Sequence, residues 1–102
     1  MPVPPQAVRT AARQALEARE NVPPSRKAGT PVGIARANQL ARGDNISDDT
    51  LLRMWSYLSR AEFDYKRARD QGLDLESSKA IQAYYLWGGP AAFAWVRREL
   101  NK

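Results

Sequence analysis

The stretch Gly29-Thr30-Pro31-Val32-Gly33-Ile34-Ala35-Arg36-Ala37-Asn38-Gln39-Leu40-Ala41-Arg42-Gly43 carries its own start and stop signals, and it limits the local structure to a short helix. Thr30 supplies an N-cap hydroxyl, and Pro31 stands where a missing N–H costs nothing. Val32, Ala35 and Gln39 make one row; Ile34, Ala37 and Ala41, with Leu40 beside them, make another. Gly43 sits where a left-handed residue ends a helix. Gly33 costs this helix about 1 kcal/mol relative to alanine, which points to a close backbone approach or a frayed first turn. Ser47 then caps a second, longer helix, with Asp48 and Asp49 at the positive end of its dipole. Leu51, Met54, Trp55, Leu58, Ala61 and Tyr65 recur at three- and four-residue steps, and Arg53, Ser56, Arg60, Asp64 and Arg67 fall largely opposite. Gln71-Gly72 closes this helix after Asp70.

The rest of the chain is punctuated in the same way. Pro4-Pro5 opens a helix with Val8, Ala11, Ala12, Ala15 and Leu16 on one face, and it ends near Asn21 before Pro23-Pro24. Being alanine-rich, it forms readily but offers little anchoring surface. Residues 22–29 read as a linker or surface loop. Ser77 or Ser78 starts a helix bearing Ala80, Ile81, Tyr84, Tyr85 and Trp87, which Gly88-Gly89 stops. Pro90 opens the last, with Ala92, Phe93, Val96 and Leu100 as apolar positions and Trp95, Arg97 and Arg98 on its flanks. No segment alternates with period two. The expectation is one all-α domain, a compact bundle of four to five short helices: an N-terminal helix over 1–21, a linker over 22–29 and a helical core over 30–102. The expected core is Ile34, Leu40, Leu51, Met54, Trp55, Leu58, Ile81, Tyr84, Trp87, Phe93 and Val96.

The residue types argue against catalysis. There is no histidine and no cysteine, so the commonest general base, zinc ligands and thiol nucleophile are missing. Carboxylates are scattered apart from Asp48-Asp49, and Glu62 and Asp64 lie about 200° apart on a helix, too divergent to share a substrate. No cofactor or metal is expected, and the chain is read as not an enzyme. No uncharged run is long enough to span a bilayer, and Met1-Pro2-Val3-Pro4-Pro5 does not resemble a signal peptide, so no membrane partner and no secretion are expected.

The net charge of +5 instead favours an acidic protein or nucleic acid as partner. Arg36, Arg42, Arg53 and Arg60 lie on two consecutive helices and are the candidate contacts, with solvated ion pairs to Asp49, Glu62 or Asp64 as the alternative for Arg53 and Arg60. Four phosphate contacts would give a slope of log affinity against log salt of about −3 to −4. A helix-turn-helix over 31–60 is a weaker reading, because Asp48 and Asp49 would meet phosphates at the head of the reading helix. Tyr57 and Trp95 are the aromatics expected to be exposed, and with Arg97 and Arg98 they form the expected protein interface.

Three blocks together carry a resemblance. These are Gly29-Thr30-x-Val32-Gly33-Ile34-Ala35-Arg36-Ala37-x-x-Leu40-Ala41-x-Gly43; Ser47-x-x-Thr50-x-x-Arg53-Met54-x-Ser56-Tyr57 with Arg60-x-Glu62-x-Asp64; and Ala83-Tyr84-x-Leu86-Trp87-Gly88-Gly89 with Trp95 beyond. With the N-terminal Pro4-Pro5 helix they cover most of the chain, which resembles a small module of tailed bacteriophages and prophages. That module stands alone or is attached to virion structural and head-morphogenesis proteins. The chain departs from the pattern at Arg60-Ala61, where a charged residue and a histidine are usual, at Pro90, where an acidic residue is usual, and in the short segment from Gln71 to Glu76. The resemblance implies a virion- or head-associated accessory acting by protein–protein binding, with virion components or a host protein as partner, placed in the virion or the host cytoplasm. It leaves open a basic nucleic-acid-binding regulator or packaging or ejection accessory with weak, non-specific binding, a host-directed inhibitor, and any oligomeric state.

Overall fold

A computed structural model describes residues 2–102. The helices are α1 (Gln6–Glu20), α2 (Pro31–Arg42), α3 (Asp48–Asp70), α4 (Lys79–Leu86) and α5 (Gly89–Leu100), with a 3₁₀ turn over Pro24–Arg26. No strand occurs among the described residues, and the fold is a small all-α bundle. The local signals act as their chemistry dictates. Thr30 Oγ1 accepts from the Gly33 N–H at 3.2 Å, and Ser47 Oγ accepts from the Thr50 N–H at 3.2 Å. Gly43 adopts φ 78° and donates to the carbonyls of α2's last turn. Of the two serines before α4, Ser78 is the cap, its Oγ accepting from the Ile81 N–H at 3.2 Å. Ser77 instead closes the preceding turn with Asp74.

The N-terminal helix is an integral part of the core. It packs against α2, α4 and α5, while α3 lies along α4 and α5. Val8, Ala11, Ala12, Ala15 and Ala18 are its buried positions. Their small side chains let three helices approach one backbone closely, so the low bulk read as weak anchoring is what permits a central position.

Residues 22–29 form a packed strap rather than a free linker. Val22 and Ala28 are buried. Arg19 Nε donates to the Ala28 carbonyl at 2.7 Å, and Lys27 Nζ donates to the Arg19 carbonyl. The strap is held from the far side by Gln82, whose side chain is fully buried. Its Oε1 accepts from the Ala28 N–H at 2.7 Å, and its Nε2 donates to the Leu75 carbonyl at 3.0 Å. One amide thus fastens both the strap and the loop before α4. Gln82→Leu keeps the volume but removes both bonds, and it leaves a buried N–H without a partner. A loss of about 2–3 kcal/mol is expected in urea unfolding. A loss below about 0.5 kcal/mol would mean that the strap does not depend on this residue.

Several expected core positions shift. Leu40, Leu51, Met54, Leu58, Ile81, Tyr84, Trp87 and Val96 are buried. Ile34, Trp55 and Phe93 are only partly buried. Trp95, Ile46 and Leu86 are buried as well. Gly33 is buried because a side chain there would meet the Trp87 indole nitrogen at 3.3 Å, so the close neighbour is an aromatic ring rather than a backbone.

Candidate binding surfaces

The two helices of the weaker helix-turn-helix reading do not pack on each other as that motif requires; α2 packs on α1 and α4, and α3 on α4 and α5. Trp87, from the end of α4, meets both. Its indole lies where a side chain on Gly33 of α2 would reach it and stacks on Tyr57 of α3, with centroids 4.6 Å apart and planes 14° apart. The Arg36 guanidinium lies over the same indole at 5.6 Å. Burial pushes the Tyr57 hydroxyl's pKa up, with the Arg60 charge opposing it. The Arg36 pKa is lowered, first by burial and then by the neighbouring Arg53 charge. These relations bring Arg36, Arg53 and Arg60 together around the Tyr57–Trp87 stack.

The fourth arginine does not join them. Arg42 pairs with Asp44 at 2.9 Å, which local neutralisation explains. The expected pairing of Arg53 and Arg60 with Asp49, Glu62 or Asp64 is not formed. Glu62 sits 3.5 Å from Lys66, and Arg60 Nε donates to the Ser56 carbonyl at 3.2 Å. Among the described residues, Arg36, Arg53 and Arg60 make no carboxylate pair.

The aromatic half of the expected interface is corrected. Trp95 is 4% exposed and belongs to the core, because Ala92, Trp95 and Val96 form the buried stripe of α5. Tyr57 is partly buried and occupied by Trp87. Arg97 and Arg98 are exposed in the last turn of α5.

Two large apolar residues passed over by the sequence pattern are exposed instead. Leu52 is 55% and Phe63 71% exposed on α3. Eleven residues are close to three turns, so both project from one side of the helix, within about 20° of each other. Their periodicity was legible; their proximity to Arg53, Ser56 and Arg60 hid them on what read as a polar face. Beside Leu52 runs a cleft between α3 and α5. It has a volume of about 440 Å³ and is lined by Leu52, Trp55, Arg97, Leu100 and Asn101. Trp55 meets Phe93 across the two helices with centroids 4.9 Å apart. A second hollow of about 270 Å³ continues the groove past Phe93 and Ala94 and shares Arg97.

A larger hollow of about 580 Å³ lies between the end of α1, α3 and the loop before α4. Tyr65 and Tyr85 line it with Arg69, Glu17, Asp74 and Glu76. Arg69 lies over the Tyr65 ring at 5.6 Å and 3.6 Å from Asp70. The hollow's lining carries three carboxylates against one arginine that already faces Asp70, so it holds a net negative charge. Among the described residues, no helix is long and apolar enough to cross a membrane. Comparison with known protein families, with curated proteins and with solved structures finds no match.

Proposed function

We propose that this chain is a non-enzymatic phage protein that works by binding another protein, as a virion- or head-associated accessory, and that the α3–α5 face makes the contact. The observation that carries this reading is the exposure of Leu52 and Phe63 on one side of α3, with Leu52 lining the cleft that Trp55 and Leu100 also line. Large apolar side chains grouped at a groove are the usual anchors of protein interfaces. Arg97 at the rim of both hollows suits an acidic partner. The phage assignment rests on the resemblance of the Gly29–Asp64 and Ala83–Trp95 blocks. The non-enzymatic part rests on a chain without histidine or cysteine.

A photo-cross-linking residue at Ser59, between Leu52 and Phe63 on the exposed side of α3, tests the proposal in purified particles. One virion protein is expected to be captured, with the chain itself present in the particles by mass spectrometry. Adding Leu52→Ser and Phe63→Ser is expected to weaken the contact at least about tenfold, since loss of two anchors exceeds about 1.4 kcal/mol. A chain absent from particles, or an adduct insensitive to both changes, would overturn this reading.

A further inference from the structure

The arginine cluster lies on a different flank of α3 from the apolar cleft. Arg53 and Arg60 are seven residues apart on α3, so they share a face and stand about 10.5 Å apart along the axis. Arg36 reaches the same region from α2 and is held in place. Its guanidinium lies over the Trp87 ring, one terminal nitrogen donates to Gln39 Oε1, and its buried Nε has no hydrogen-bond partner. Bringing guanidinium groups together without a paired carboxylate costs electrostatic energy, which an anion at this face would offset.

Several observations select the kind of anion. A duplex strand rises about 3.4 Å per nucleotide along the duplex axis, so the Arg53–Arg60 spacing matches about three nucleotide steps. The aromatics at this face stack on each other, and Trp87 is only 9% exposed, so they are not free to stack on bases or to anchor a protein partner. Asp48 and Asp49 make the head of α3 negative and keep it from entering a groove end-on. What remains is a set of cations, Arg36 held in place and Arg53 and Arg60 exposed, without an aromatic free to stack on bases. Lys79 extends it, lining with Tyr57 and Asp64 a neighbouring hollow of about 400 Å³, and Asp64 limits it on that side.

We infer that Arg36, Arg53 and Arg60 form a sequence-independent contact to the phosphate backbone of duplex nucleic acid, on a surface separate from the α3–α5 cleft. The arrangement would let one small domain hold a protein on one flank and nucleic acid on the other. With Arg42 neutralised by Asp44, three phosphate contacts remain rather than four.

The test is fluorescence anisotropy of the full chain with two labelled DNA duplexes of unrelated sequence, titrated between about 50 and 200 mM salt. The slope of log affinity against log salt is expected to be about −2.7 for both duplexes, at about −0.9 per phosphate. Arg53→Gln with Arg60→Gln is expected to bring the slope to about −1 and to weaken both duplexes alike. Both residues are exposed, so the fold should be retained. Arg42→Gln and Leu52→Ser are expected to change nothing, which separates this site from the protein-binding cleft. No anisotropy change at low salt with micromolar protein would overturn the inference. So would an unchanged slope in the double variant, or a clear preference for one duplex. Polyglutamate that bound more tightly than DNA through the same two arginines would overturn it in favour of an acidic protein.

Discussion

Gly88→Ala is expected to destabilise the protein by about 2–5 kcal/mol, a large fraction of the roughly 5–15 kcal/mol available to such a domain. Two effects combine at this position. Gly88 has φ 99°, a left-handed conformation that costs a residue with a side chain about 1–2 kcal/mol. An added Cβ would also lie 2.4 Å from the Ala92 Cβ and 2.9 Å from Val8 Cγ1. Neither neighbour can step aside, because Ala92 and Val8 are fully buried on α5 and α1, and such overpacking costs about 1–3 kcal/mol more. Gly72 is the control. It has φ 79°, with nothing within 4 Å of an added Cβ, so Gly72→Ala should cost only the backbone part, about 1–2 kcal/mol. Thermal melting should show a drop of about 8 °C or more for Gly88→Ala and clearly less for Gly72→Ala. Equal losses would mean that the α4–α5 turn is not packed against α1.

Trp95→Ala is expected to cost about 3–5 kcal/mol and to exceed Trp55→Ala by roughly a factor of two. Sequence periodicity alone assigns these tryptophans the opposite way, with Trp55 in the core and Trp95 on an interface. Both assignments obey helical spacing. On α5, Phe93, Val96 and Leu100 form one acceptable stripe, and Ala92, Trp95 and Val96 form another. The second is the buried one, because α5 packs against α1 and α4 as well as α3. Phe93 and Trp55 then meet at the edge of the α3–α5 contact, where each keeps one side in solvent. Urea unfolding of the two variants decides the matter. A larger loss for Trp55→Ala would put α5 in the other phase and return Trp95 to the surface.

The two expectations differ in how far they were legible. The five helices could be read because each signal acts within one turn of the chain. Thr30 reaches the Gly33 N–H, Ser47 the Thr50 N–H and Ser78 the Ile81 N–H, all at a separation of three residues. Gly43 and Gly88 relieve a backbone strain that belongs to the residue itself. The chemistry missing from a chain without histidine or cysteine is equally a property of composition.

The candidate surfaces were legible in part. Arg36, Arg53 and Arg60 could be grouped because α2 and α3 are consecutive and two of the three share a helical face. Arg42 could not be set aside from its row alone, since its partner Asp44 lies beyond the helix end. Leu52 and Phe63 could be found by period, yet exposure of an apolar residue depends on whether another helix covers it.

By itself, then, the sequence determined the all-α class and the helix ends, through interactions a few bonds or one helical turn apart, and, by composition, a chain without histidine or cysteine. Tertiary structure alone decided that α1 lies inside the bundle, that Trp95 is buried while Phe63 is not, and that residues 22–29 are a fastened strap. The bond from the Ala28 N–H to Gln82 joins residues 54 apart, and the Tyr57–Trp87 stack joins two helices. Such contacts depend on how helices of known length cross, which is set by side-chain volumes summed over the whole core and cannot be read from the period of any one segment.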